Sequence, residues 1–84
     1  IDNIINNNNM TNTLESVMVD SSAIYSAEYN NNESTMLVYF NNDSIYKYHA
    51  VPIFYWRGLF ESSSKGKFLN KFIFKNFKAE RIDL

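Results

Sequence analysis

The chain contains no cysteine and a single histidine, His49, among its 84 residues. The absence of cysteine excludes a disulfide framework and a metal held by thiolates. His49 has no second histidine to join it and no carboxylate at a ligand-like spacing. We therefore predict no metal site.

Glycine is also scarce, with two residues in the whole chain. This excludes a glycine-rich loop of the kind that cradles phosphate groups. No apolar run approaches the ~18 residues that a membrane span requires, and no segment resembles a signal peptide. We expect a protein that is not attached to a membrane and is located in the cytoplasm.

The serines give no indication of catalysis. Most of them fall in predicted turns and caps, where a hydroxyl satisfies backbone groups, and none forms a recognisable triad with His49 and an acid. We therefore predict that the protein is not an enzyme and that it has neither catalytic residues nor a cofactor.

Aromatic side chains are abundant, with seven Phe, six Tyr and one Trp. Each can bury about 150–250 Å², which together supplies one small core. Residues 14–84 are predicted to form a single domain, and the polar, asparagine-rich residues 1–13 a flexible lead-in. Met10 is a candidate initiator, in which case residues 1–9 come from upstream or cloning sequence. The excess of Asn, Ile, Lys, Tyr and Phe is typical of AT-rich genomes and favours a bacterial or phage source.

Four segments have the alternation and the β-branched and aromatic bias of strands, namely 14–20, 24–29, 36–40 and 44–51. The asparagine-rich segments between the last three predict tight hairpins. Within the last strand, Tyr46 and Tyr48 would share one face, and Ile45, Lys47 and His49 the other. The pattern predicts an antiparallel meander with one mainly aromatic face.

Two helices are predicted after the strands. Pro52 suits the first turn of a helix that runs to about Ser62, and serines 62–64 offer an N-cap for the second. At the entry to the second helix, Gly66 predicts a tight or positive-φ backbone crowded against the first helix. Spacings of three and four place the following residues on the inner faces: Tyr55, Trp56, Leu59 and Phe60 in the first helix, and Phe68, Leu69, Phe72, Ile73 and Phe77 in the second. The expected fold is α+β, a small antiparallel β-meander of three to four strands packed against two C-terminal helices.

The order of these signals resembles the KTSC domain, a small domain found at the C-terminus of some lysyl-tRNA synthetases and as stand-alone proteins. The residues that carry the resemblance are Tyr46, Tyr48, Val51, Pro52, Ser64, Gly66 and Asn70, and we interpret them as structural. The resemblance implies the α+β fold and suggests RNA binding. Phe74 stands where an Arg is usual and Phe77 where a Tyr is usual, so a function of that Arg or hydroxyl is not carried over.

Basic charge is concentrated towards the C-terminus. Residues 1–60 hold six acidic and two basic side chains, whereas residues 61–84 hold three acidic and six basic ones. Lys67, Lys71 and Lys75 recur at intervals of four and would lie together on the outer side of the second helix, with Lys65 and Lys78 near its ends. These five lysines are candidate nucleic-acid contacts. The alternative is a solvated helix face, which the overall acidic charge of the chain favours.

Two surfaces of the sheet can be interpreted in more than one way. Tyr46 and Tyr48 could stack on nucleobases, although packing beneath the helices is favoured. The opposite face, with Leu37, Tyr39 and Ile45, is apolar enough to need a cover, either the first strand or a partner. Two functions follow: a non-catalytic module that binds RNA or another nucleic acid through the lysines, or a protein-interaction domain that uses the apolar sheet face. The second would be a homodimer or a phage-encoded factor acting on a host protein.

Overall fold

The computed structural model describes residues 14–82, and the predicted lead-in lies outside the described residues. The fold within this range is an antiparallel sheet in which strand order follows the chain. Its strands are β1 (Leu14–Met18), β2 (Ile24–Asn30), β3 (Thr35–Phe40), β4 (Ile45–Tyr48) and β5 (Ala79–Ile82). Two short helices lie between β4 and β5 in the chain. The predicted α+β class is confirmed.

The hairpins of the meander are closed by asparagine side chains, as predicted. The Asn30 side-chain oxygen accepts a hydrogen bond from the Asn32 backbone N–H at 2.9 Å. The Asn42 side-chain oxygen likewise accepts one at 3.0 Å from the backbone N–H two residues on. Ser34 and Asp43 complete the turns with positive φ angles of 57° and 71°. Polar residues that bond their own backbone and tolerate this conformation therefore fix the two turns.

The strand β5 was not predicted from the sequence. It pairs antiparallel with β4, with Tyr48 opposite Ala79 and Tyr46 opposite Arg81. Three of its four side chains are exposed, so the segment lacks the alternation that would identify a strand. Pairing with β4, rather than local preference, makes this segment extended.

The helices pack together on one face of the sheet. The first, α1 (Ile53–Glu61), buries Trp56 and Leu59. The second, α2 (Lys65–Phe68), continues into a π-helical turn, the π segment (Leu69–Ile73), which buries Leu69 and Ile73. No helix within residues 14–82 is long and apolar enough to cross a membrane.

The core lies between this helical layer and the sheet. The Trp56 indole stacks on the Tyr29 ring, with centroids 5.6 Å apart and planes 13° from parallel. The Tyr29 hydroxyl donates a 2.6 Å hydrogen bond to the Val51 carbonyl, which ties β2 to the entry of α1. The largest fully buried side chains of the core are Trp56, Tyr29, Met36, Leu59, Leu69, Ile73, Val38 and Val51.

Two phenylalanines predicted to face inward are exposed. Phe60 is 57% exposed and Phe72 is 36% exposed. In each helix the sheet-facing positions are taken by another pair of residues, Trp56 with Leu59 and Leu69 with Ile73. Successive residues of a helix differ by about 100° in direction, so a residue adjacent to a buried one faces sideways. The inner-face prediction was therefore wrong for these two rings.

The expectation for Gly66 was correct about crowding and wrong about its cause. No described glycine has a positive φ. A Cβ on Gly66 would lie 3.3 Å from the Ser21 Cβ, so the close neighbour is the β1–β2 loop and not α1. The Ser64 side chain also makes no capping hydrogen bond at the start of α2. Instead, the Ser64 backbone N–H donates to the Ser62 Oγ at 3.1 Å.

Gly66→Val is expected to lower the free energy of unfolding by about 1–3 kcal/mol, because its added carbons overpack the contact with Ser21. Gly66→Ala is the control. Its single added carbon meets Ser21 at a tight but adjustable distance, and the gain in helix propensity of about 1 kcal/mol offsets that contact. Denaturant unfolding monitored by circular dichroism measures both. Equal stability of the valine variant and the wild type would contradict the close approach.

Candidate nucleic-acid interface

The helical layer is the basic part of the molecule. Residues 53–78, from the start of α1 to the start of β5, contain six of the eight basic side chains and one of the nine acidic ones. We call this part the basic helical layer. Because both of its helices pack on the same sheet face, charge that is spread along the sequence becomes concentrated on one side of the domain.

Four of the five candidate lysines are exposed. Lys67 lies in α2, Lys71 in the π segment, and Lys75 and Lys78 lie between the π segment and β5. Lys65 is half-buried, and its Nζ donates a 2.9 Å hydrogen bond to the Ser62 carbonyl. Lys65 therefore satisfies a backbone group just beyond the end of α1 and is the least available of the five for a ligand.

The sequence predicted a straight row of lysines along one α-helix. The structure does not contain such a row. The α-helical hydrogen bonding of α2 ends at Phe68, and the π segment ends at Ile73. Lys75 and Lys78 lie beyond both. The exposed lysines therefore follow the chain around the end of the helical layer and reach the sheet edge at β5.

Exposed aromatic rings accompany this positive charge. The Phe54 side chain is 75% exposed, and Phe60 and Phe72 are also exposed. A groove of about 360 Å³ lies between α1 and the segment formed by α2 and the π segment. We call it the aromatic groove; its lining residues are Phe54, Tyr55, Arg57, Gly58, Glu61, Phe68 and Phe72.

The rings of the aromatic groove contact one another and a lysine. The Phe68 and Phe72 centroids are 4.7 Å apart, and the Phe54 and Tyr55 rings meet edge to face at 5.5 Å. The Lys71 Nζ lies 5.4 Å from the Phe72 centroid, within the range of a cation–π contact. The apolar surface of the groove therefore lies next to the Lys71 ammonium group.

Sequence reasoning did not find this groove. The signal for Phe54 was present, because a residue two positions from Trp56 is rotated by about 200° and points away from the core. Phe72 gave no such signal, since its spacing from Phe68 and Leu69 fits an inner face as well as an edge. Only the packing of α2 beside α1 distinguishes these two placements.

The tyrosine pair lies in or beside the core. Tyr48 is 6% exposed and stacks on Phe74 at 5.5 Å. Tyr46 is half-buried and meets Phe40 edge to face at 5.6 Å. Burial raises the pKa of the Tyr48 hydroxyl, and the charge of a neighbouring Tyr46 phenolate would raise it further. Helices cover this face, so the pair is not available as an open stacking platform.

The remaining residues of the sequence resemblance have structural contacts. Val51 is buried, and its backbone N–H donates to the Ser34 carbonyl at 2.8 Å. Pro52 occupies the N-cap of α1. The Asn70 side-chain amide donates to the Gly66 carbonyl at 3.0 Å, which supports the turn where α2 passes into the π segment.

The two positions that depart from the expected family pattern also pack. Phe74 stacks on Tyr48, and Phe77 meets Tyr55 edge to face at 5.3 Å. The Phe74 ring therefore contacts the sheet and the Phe77 ring contacts α1, and neither position supplies a charged group.

The sheet face that points away from the helices is less exposed and more polar than the sequence predicted. Ile45 is buried, and the Tyr39 hydroxyl donates to the Glu28 carboxylate at 3.0 Å. Desolvation and this hydrogen bond raise the pKa of Tyr39. Lys47 pairs with Glu33 at 3.6 Å across the same face. Charged groups thus flank the apolar residues of this outer sheet face.

The first strand does not cover the outer sheet face. Strand β1 pairs beside β2 in the plane of the sheet, with Val17 opposite Ala27. Each strand and helix within residues 14–82 belongs either to this sheet or to the basic helical layer on its other side. A cover for Leu37, Tyr39 and Ile45 is therefore not supplied by these elements.

The single histidine makes a polar contact outside the basic helical layer. The His49 Nε2 lies 2.7 Å from a Glu80 carboxylate oxygen, and this contact joins the end of β4 to β5. The described residues contain no group of three or more His, Cys, Asp or Glu side chains that could hold a metal ion.

The architecture defines a small α+β domain with an antiparallel meander under a two-helix layer. A family model for the KTSC domain matches residues 20–77, and the chain belongs to this family. The biochemical role of the family is not established. No curated protein matches the chain.

A solved structure supports the same assignment. The fold is similar to the crystal structure of a KTSC domain protein from Yersinia pestis, with a TM-score of 0.75 and 26% sequence identity. The match covers 83% of this chain and 99% of that one. The similarity therefore extends over nearly the whole of that chain.

Proposed function

We propose that the domain is a non-catalytic module that binds single-stranded RNA through the basic helical layer. The observation that carries the proposal is the coincidence, on one side of the molecule, of most of the basic side chains with the exposed rings of Phe54 and Phe72. We further propose that this binding uses no cofactor and that the domain acts in the cytoplasm of a bacterial or phage-infected cell.

The two features match the two parts of a single strand. Lysine ammonium groups neutralise phosphates and release counterions, whereas exposed aromatic rings stack on unpaired bases. The exposed lysines Lys67, Lys71 and Lys75 alternate along the chain with two phenylalanines, Phe68 and Phe72. A strand that crosses this segment would meet cations and rings in alternation.

The affinity for single-stranded RNA is expected to fall with rising salt. If Lys67, Lys71 and Lys75 contact about three phosphates, the slope of log affinity against log salt should be near −2, from ~0.7 for each phosphate. Changing all three to Gln should abolish the binding without unfolding the domain, because all three side chains are exposed. Fluorescence anisotropy with a labelled oligonucleotide over a salt series measures both effects.

The control outside the basic helical layer is Lys47→Gln, which removes one positive charge from the outer sheet face. It should leave affinity and salt slope nearly unchanged. Binding that persists in the triple variant, or no binding by the wild type at low salt, would contradict the RNA-binding proposal.

The second candidate is a protein-interaction domain that uses the outer sheet face, as a homodimer or on a host protein. It is favoured by the position of Leu37, Tyr39 and Ile45 on a face that no described helix or strand covers. An apolar interface depends weakly on ionic strength, so salt-insensitive self-association in analytical ultracentrifugation would support this function instead of RNA binding.

A further inference from the structure

We propose that the aromatic groove is a subsite for one unpaired nucleobase of the bound RNA strand. This inference rests on the proposed RNA-binding function and adds where a base is held. The groove lies beside the exposed lysines that would contact phosphate, so a strand bound along those lysines can direct a base into it.

The walls of the groove suit a flat aromatic ligand. Phe54 projects from α1 with 75% of its side chain exposed. Phe68 and Phe72, in contact at 4.7 Å, form the opposite wall. Nucleobases stack on aromatic side chains irrespective of sequence, because every base has a π face.

Gly58 creates room for the inner wall. A Cβ at this position would lie 2.8 Å from the Phe68 Cζ and 3.0 Å from its Cε2. Because Gly58 has no side chain, the Phe68 ring can approach the α1 backbone. The groove therefore exists because Gly58 and Phe68 meet at this point.

The edge of the groove carries hydrogen-bonding groups of both kinds. Arg57 supplies donors and Glu61 supplies acceptors, and both side chains line the groove. They are one helical turn apart, yet no ion pair joins them in the described part of the chain. A base that offers acceptors and N–H donors along its edge can bond to both.

Size and charge select an unpaired base over other ligands. A volume of about 360 Å³ lies at the small end of the range of ligand pockets, and in a duplex the bases are stacked inside the helix and cannot enter it. A second cavity, of about 310 Å³, lies on the outer sheet face, and the charged residues that line it are Glu28, Glu33 and Lys47, two carboxylates against one ammonium group. The net negative charge of this lining disfavours a phosphate backbone, whereas the net positive charge of the basic helical layer attracts one.

The test compares two strands of equal charge. Both are RNA-like chains of about eight abasic ribose phosphates, within the site sizes of small single-strand binding domains. One carries a single adenine at its centre, and the other carries no base. The wild type should bind the strand with the base about 5- to 150-fold more tightly, the range expected for one stacked base.

Phe54→Ala should remove most of this advantage, and Phe60→Ala should keep it. Phe60→Ala is the matched control for Phe54→Ala, since both rings are exposed on α1 and only Phe54 lines the aromatic groove. Gly58→Ala should also reduce the advantage, because the added carbon displaces the Phe68 ring. Circular dichroism spectra and melting curves establish that each variant is folded, and Phe54→Ala alone decides the result if Gly58→Ala does not fold.

The outcomes separate this inference from the function on which it rests. Salt-dependent binding that is equal for the two strands, or an advantage that survives in Phe54→Ala, overturns the base subsite and leaves RNA binding intact. Loss of the advantage in Phe60→Ala as well as in Phe54→Ala also overturns it. Failure of the wild type to bind either strand at low salt overturns both proposals.

Discussion

Replacing Trp56 with alanine is expected to lower the free energy of unfolding by about 3–5 kcal/mol. Trp56 is 1% exposed and stacks on Tyr29 across the interface of helix and sheet. Its indole N–H also donates to a Glu15 carboxylate oxygen at 3.0 Å, which connects α1 to β1. Alanine would leave a large cavity between the two layers and remove both contacts. Against a total stability of about 5–15 kcal/mol for a native domain, this is a large fraction.

Denaturant unfolding monitored by far-UV circular dichroism measures the loss. Trp56→Phe should cost less than Trp56→Ala, because a ring remains against Tyr29 and only part of the volume and the N–H donor are lost. Phe54→Ala, at an exposed position two residues away in the same helix, should change stability by no more than about 0.5 kcal/mol. A Trp56→Ala domain as stable as Phe54→Ala would refute the assignment of Trp56 to the core.

Much of the fold could be predicted because strong local signals coincide with it. The asparagine turns fixed the two hairpins, and alternation identified β2 and β3. The spacing of Trp56 and Leu59 predicted the buried stripe of α1. Strand β5 could not be predicted, because its sequence contains one apolar β-branched residue, Ile82, and its conformation depends on pairing with β4.

The second helix shows a different limit of sequence reasoning. Periodicity predicted one long helix with a straight row of lysines, whereas the chain changes from α to π hydrogen bonding after Phe68. A single π turn shifts every later residue relative to the α-helical pattern. For this reason the positions of Lys75 and Lys78, which follow the π segment, could not be predicted. Phe72 was misplaced for another reason, because it is adjacent to the buried Ile73 and faces sideways.

The candidate site was predictable in its charge and not in its shape. The excess of lysine after residue 60 is visible in the sequence, and four of the five lysines are exposed in the structure. The aromatic groove depends on the contact between Gly58 and Phe68, which are ten residues apart. In the sequence, neither Gly58 nor Phe68 alone indicates whether the two helices form a groove or a closely packed interface.

The family resemblance was most informative about packing. Tyr48, Val51 and Gly66 all occupy close contacts between the sheet, its loops and the helical layer. A pattern that holds such contacts together identifies a fold and leaves the ligand open. The features that support RNA binding come instead from Phe54, Phe72 and the lysines, which lie outside that pattern.

Replacing Tyr48 with alanine distinguishes a core residue from a base-stacking one. Tyr48 is buried, stacks on Phe74 and lies opposite Met36 in the sheet. Its truncation is expected to cost about 3–5 kcal/mol, a large fraction of the stability of a small domain, and to lower the melting temperature strongly. Tyr48→Phe, which keeps the ring, should remain folded by circular dichroism and retain any RNA affinity. If Tyr48 instead presented its ring to a base, Tyr48→Ala would stay folded with an unchanged melting temperature and lose affinity alone.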